Sequence, residues 1–293
     1  MTAVPIEQPT IAAFIDAWPL FADAVWAAVW MGATLGMLGI YVIARHLVFL
    51  SAALSQAASL GVASSYYFSG IMGFSGFLAA PSLWALLATG LVVLHFARPR
   101  RHHTVTDDET LGIVYLVGIA GTLAVGTRIV ADMADIETLL FGTAVAVLPE
   151  DVQSIAVTCA TVLLLHAMLW RGFAAVSLDP VGAQVRGMPT RLLEVLLLAT
   201  LAVVVSLCTR VLGALPAFSF SVLPALVSLR WCRNLRQGLW IAALVGGFTG
   251  LAGYVAAFLW ALPVGAAQAL CGLALLTITT ALRRFAYTVT ATA

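Results

Sequence analysis

VSLDPVGAQVRGMP, residues 176–189, is a polar interruption between two long apolar runs. Its residue order predicts a short helix with a stop at each end. Asp179 can accept a hydrogen bond from the first free amides. Pro180 carries the fixed φ that suits a first helical position. Arg186 falls in the last turn, where a cation complements the helix dipole. Gly187 suits a left-handed terminating residue, and Pro189 prevents continuation. The segment is a small rigid knob on one face of whatever the flanking runs build.

Those runs settle the class. The chain has 293 residues, of which 62% are hydrophobic and 9% charged, with a mean hydropathy of +1.05. Soluble domains carry roughly a quarter charged residues, so this chain cannot coat a water-soluble globule. It reads as an all-α, polytopic membrane bundle forming one domain over 1–293. A spanning helix needs about 20 apolar residues. Candidate spans lie near 22–44, 52–72, 82–97, 110–130, 152–170, 192–212, 217–229, 237–259 and 263–282. The stretch 217–229 is too short to cross alone, which leaves eight full spans and one short segment. Residues 1–20 form an amphipathic surface stub broken near Pro19. With Glu7 and Asp16 and no positive charge, the stub is not a secretory signal.

Arginine supplies every basic side chain; there is no lysine. Arg45, Arg98, Arg100, Arg101, Arg171, Arg186, Arg191, Arg230, Arg233, Arg236, Arg283 and Arg284 all fall on one side if the segments alternate. That side is expected to be cytoplasmic, with the N-terminus outside and the C-terminus inside. Asp132, Asp135, Glu137, Glu150 and Asp151 fall on the other side, with Arg128 close by. Arg210 lies near the outer end of its span without an obvious partner. Net charge is +1, which gives no reason to expect nucleic acid. No GxxxxGK[ST] and no GxGxxG occurs, so the chain brings no nucleotide site and no cofactor site of its own. Cys159, Cys208, Cys232 and Cys271 are scattered and read as buried thiols.

The knob resembles the coupling helix of the ABC-3 family of permeases, the membrane subunits of zinc, manganese and iron uptake ABC transporters. The family pattern is close to F-D-P-x-x-A-x-x-x-G-x-P. This chain has Leu178 in place of Phe, then Asp179, Pro180, Ala183, Gly187 and Pro189. The likeness continues in order along residues 25–282: DDETLGIVY, DIETLLFGTAVAVLPEDV, RVLGALPAFSFSVLPAL with Gly213 and Pro224 in register, and ALPVGAAQAL with Pro263 and Gly265. The resemblance implies two permeases side by side, either two copies or a paralogous pair. It also implies a cytoplasmic ABC ATPase dimer that supplies ATP and Mg chemistry, and an extracytoplasmic substrate-binding protein. In that picture residues 178–187 dock on the ATPase, with Leu178, Asp179, Pro180, Ala183, Arg186 and Gly187 as the coupling residues. ATP-driven closure then rocks the permeases in the bacterial cytoplasmic (inner) membrane.

The same resemblance sharpens LSAALSQAASLG, residues 50–61. In the family this span carries F-[GS]-D-[AT]-L-S-H-[AS], whose Asp and His lie four residues apart on one helix face. Here those positions are Ala52 and Gln56, so the transported metal has no assigned ligand set. Three readings stand: a divalent metal held by ligands elsewhere, with His95 and His166 as candidates; a metal passing with little direct coordination; or another solute. In the last, Ser51, Ala52, Ser55, Gln56 and Ser59 form a neutral lining. Small residues at this density also let helices pack closely. His102 and His103 read as part of a solvated basic loop, and Asp107, Asp108 and Glu109 as a helix start. No His-Glu-x-x-His and no paired intramembrane aspartates support an enzyme. An ATP-independent channel or secondary transporter is the more distant alternative.

Overall fold

The computed structural model describes residues 10–73, 75–97, 107–129, 147 and 149–291. Among the described residues every regular element is helical. In chain order these are α1 (Ile11–Asp16), α2 (Trp18–Ala44), α3 (Val48–Met72), a 3₁₀ turn (Gly76–Ala79), α4 (Pro81–Phe96), α5 (Asp107–Ile129), α6 (Pro149–Met168), α7 (Trp170–Leu178), α8 (Pro180–Val185), α9 (Thr190–Leu212), α10 (Ala214–Trp231), α11 (Leu235–Trp260) and α12 (Val264–Ala291).

Eight of these are long and apolar enough to span a bilayer: α2, α3, α5, α6, α9, α10, α11 and α12. The expected count holds, but the short segment is a different one. Residues 217–229 belong to an 18-residue helix, α10, that begins at Ala214 and runs through Pro224. The short apolar helix is instead α4, with 16 residues, about 24 Å long at 1.5 Å per residue. The helix extends past both ends of 217–229 and carries Pro216 in its first turn and Pro224 inside it. Both are buried inside the bundle, where neighbouring helices take up the geometry.

The stub also differs in detail. α1 is capped by Thr10, whose hydroxyl accepts from Ala13 N at 3.3 Å. The break falls at Ala17, and α2 starts at Trp18 with Pro19 in its first turn. The stub is anchored by aromatic contacts: Phe14 meets Phe258 of α11 at 5.3 Å between ring centroids.

α2 is the central helix. Its glycines let backbones touch. A Cβ on Gly32 would lie 2.4 Å from Gly246 O of α11, and one on Gly39 only 1.8 Å from Ser221 O of α10. Small residues at such crossings are how apolar helices gain packing energy in lipid, where burial alone drives little. α2 and α3 are largely enclosed, whereas α5, α6 and α12 leave most of their length facing outward.

Candidate functional site

The knob is present and closes as its sequence predicts. Asp179 lies outside the helical region (φ −145°, ψ 77°), as the clash with a following proline ring requires. It therefore ends α7 and starts α8. Its carboxylate accepts from Gly182 N at 2.8 Å. At the other end Gly187 is left-handed (φ +75°). Met188 N donates to Ala183 O at 3.1 Å and Gly187 N to Gln184 O at 3.0 Å, the paired bonds that satisfy a helix C-terminus. Arg186 stands 3.7 Å from Asp179, both largely exposed. A pair so exposed adds little stability.

The side chains divide by face. Ala183 is fully buried, whereas Val185, Val181 and Leu178 are 83%, 70% and 62% exposed. The helix is thus anchored by one small residue and offers an apolar outer face. Behind it lies a cavity of about 550 Å³ bounded by the ends of α2, α4, α7 and α9. Arg45 at the end of α2 forms an ion pair there with Glu194 of α9. Neither that pair nor the exposure of Val181 and Val185 was anticipated from sequence. The second was readable as an i, i+4 apolar pair on a helix flanked by polar residues. α7 itself was missed. Its positions Phe173, Ala174, Val176 and Ser177 are buried, but the preceding span runs into it with only Leu169 between.

The serine-rich stretch maps to α3 and is only partly brought together. Ala52, Ser55 and Gln56 line a cavity of about 270 Å³ with Phe49, Tyr115 and Ile119, and with Ala214, Leu215 and Phe218 of α10. Ser51 and Ser59 are buried but do not line it. Ser55 Oγ donates to Ala52 O at 2.9 Å. Gln56 Oε1 is buried and meets no hydrogen-bond donor among the described residues. Gln56 is held in place by close approach. A Cβ on Gly118 of α5 would lie 2.7 Å from the Gln56 backbone carbon. α10 starts at the cavity because Gly213, at φ +97°, ψ 170°, turns the chain sharply out of α9.

The other candidates separate. His166 is buried, with Nε2 2.9 Å from Thr200 Oγ1 and its ring stacked on Phe173 at 4.2 Å. It is a packed residue of the α2–α6–α9 core. His95 is exposed near the end of α4. Arg210 does have a partner: it donates to Asp151 Oδ1 at 2.7 Å, tying α9 to the first turn of α6. Sequence could not pair two residues 59 positions apart. All four cysteines are free. Among the described residues no group of three His, Cys, Asp or Glu side chains is placed to hold a metal. Arg98, Arg100, Arg101, His102, His103, Asp132, Asp135 and Glu137 lie outside the described residues.

Residues 17–283 match the model of the ABC 3 transport family. The manganese transport system membrane protein MntC of Bacillus subtilis is 27% identical over 227 residues, 76% of this chain and 51% of that one. The manganese import system permease protein ScaB of Streptococcus parasanguinis is 26% identical over 83% of this chain and 84% of its own. Among solved structures, PsaBC from Streptococcus pneumoniae in complex with Fab superposes with a TM-score of 0.77 at 22% identity, covering 92% of this chain and 95% of that one. The fold is therefore shared.

Proposed function

The chain belongs to the ABC 3 transport family, and from that premise we propose that it is the permease of a binding-protein-dependent ABC importer for a divalent metal ion. Manganese and iron lead as cargo, since relatives are named for manganese transport and for chelated iron transport. Those names weigh against a non-metal solute, even though Ala52 and Gln56 replace the family's Asp and His. The protein is multi-pass, and we place it in the bacterial cytoplasmic membrane with its N-terminus outside. With α4 taken as a ninth crossing, the arginine-rich side that carries α8 then faces the cytoplasm.

The observation that carries the reading is the apolar outer face of α8. A capped helix that exposes Val181 and Val185, with Leu178 exposed beside it at the end of α7, is suited to a hydrophobic cleft on a cytoplasmic partner. An ABC ATPase dimer fills that role and supplies ATP hydrolysis and its Mg²⁺. ATPase closure pushes α8. The push passes through the cavity wall and the Arg45–Glu194 pair to α2 and α9. α3, α5 and α10 then open the cavity at Gln56 alternately to either side. A second permease completes the pathway, and a binding protein delivers cargo outside.

The test is ATP-driven ⁵⁴Mn²⁺ uptake by the complex of permease, ATPase and binding protein in liposomes. Val181→Asp with Val185→Asp is expected to cut uptake at least about tenfold, because two buried carboxylates would oppose docking in an apolar cleft. The detergent-extracted chain should keep its thermal midpoint, because both side chains are exposed. Unchanged uptake would remove α8 as the coupling element.

A further inference from the structure

Resting on the reading of the α3–α5–α10 cavity as the passage, we propose that the metal crosses it with its coordination sphere already filled, by water or a small carboxylate chelator. This chain then handles the shell and does not ligate the ion.

Three observations converge. The first is the donor set. The lining holds one amide, Gln56, one phenol, Tyr115, and one hydroxyl, Ser55, already spent on the Ala52 carbonyl at 2.9 Å. The other lining residues are Ala52 and apolar side chains; no carboxylate, imidazole or thiolate is among them. Divalent first-row ions give up water to such donors, and neutral amides and hydroxyls compete weakly. Stripping the ion here would leave a desolvated charge without compensation.

The second is size. The cavity holds about 270 Å³. Six waters at about 30 Å³ each take roughly 180 Å³, so a six-coordinate ion with its shell fits.

The third is the field. α10 is 18 residues long and begins at the cavity wall, where Ala214 and Leu215 line it. Its first amides lack intrahelical partners, and the positive end of its dipole lies there. That field disfavours a naked dication and favours the outward carboxylate oxygens of a chelate, which also lowers the net charge of the cargo. Gln56 Oε1, without a donor among the described residues, can accept a proton-bearing ligand of the shell.

The experiment uses the full reconstituted transporter. Ala52→Trp fills the cavity, and Ala52→Asp with Gln56→His installs two inner-sphere donors. Uptake is measured with ⁵⁴Mn²⁺ alone and with ⁵⁴Mn²⁺ plus [¹⁴C]iminodiacetate; Zn²⁺ retained per permease is measured after desalting. Zn²⁺ is the sensitive probe because it binds N and O donors more tightly than Mn²⁺. Ala52→Trp is expected to cut uptake at least about tenfold. Wild type should retain under about a tenth of a Zn²⁺ per permease and the two-donor variant about one. Equal uptake of ¹⁴C and ⁵⁴Mn identifies the chelate as cargo; ⁵⁴Mn entering alone identifies the aqua ion. If wild type retains one Zn²⁺ that Ala52→Trp removes, the chain ligates the ion and the proposal falls while the passage stands. If Ala52→Trp leaves uptake unchanged, the cavity is not the passage and both fall.

Discussion

Single residues set the geometry at two places where no substitute serves equally well. Gly213 combines φ +97° with ψ 170°, a region open in practice to glycine alone. It decides where α10 begins and hence which side chains face Gln56. Gly213→Ala is expected to destabilise the chain by about 1–3 kcal/mol, read as a lower thermal midpoint in detergent. Metal uptake should fall further than that loss of folded protein explains, because the α10 wall moves. Gly187 at φ +75° plays the same role at the end of α8. Both glycines were readable in sequence as part of a pattern. What they position was less so: Gln56 stood out as a polar residue in an apolar run, but its neighbours Tyr115 and Phe218 are 59 and 162 positions further along the chain. No local signal joins them.

Elements were legible where periodicity and caps act locally. α8 was readable to within a residue because Asp179, Pro180 and Gly187 each satisfy or end a helix by short-range geometry. The spans were legible in number because apolar length is a local property. The short helix is α4 and not 217–229, because the apolar run alone understates α10, which continues to Ala214 and Trp231. α7 was hidden because its burial depends on α2 and α9. The contact between α2 and α9 beneath α8 carries its own prediction. Arg45 is mostly buried and its Nη1 has no further partner among the described residues. Glu194→Gln therefore leaves a buried cation poorly compensated, at a cost of about 1–3 kcal/mol. Exchanging the two, Arg45→Glu with Glu194→Arg, should recover more than half of that in thermal unfolding. No recovery would mean that the pair acts through shape alone.

At the scale of the molecule, the Arg45–Glu194 pair and the start of α8 border one cavity, and the Arg210–Asp151 pair ties α9 to the start of α6. In a cysteine-free background in intact cells, an impermeant thiol reagent should label Gly76→Cys, in the turn between α3 and α4, and leave Gln184→Cys unlabelled until the cells are opened. The reverse pattern would invert the orientation. α2, α10 and α11 pack closely at their glycine crossings, while α5, α6 and α12 leave most of their length facing outward, where lipid or the proposed second permease would lie. In the proposed importer, force from ATP enters through the six residues of α8. The most direct check is a Val185→Cys permease, in the assembled and transporting complex, treated with a short bifunctional thiol cross-linker. A permease–ATPase adduct is expected at that position, with none from Leu270→Cys on the outward surface of α12. A transporting complex that gives no adduct at Val185→Cys would contradict α8 as the point where the ATPase acts.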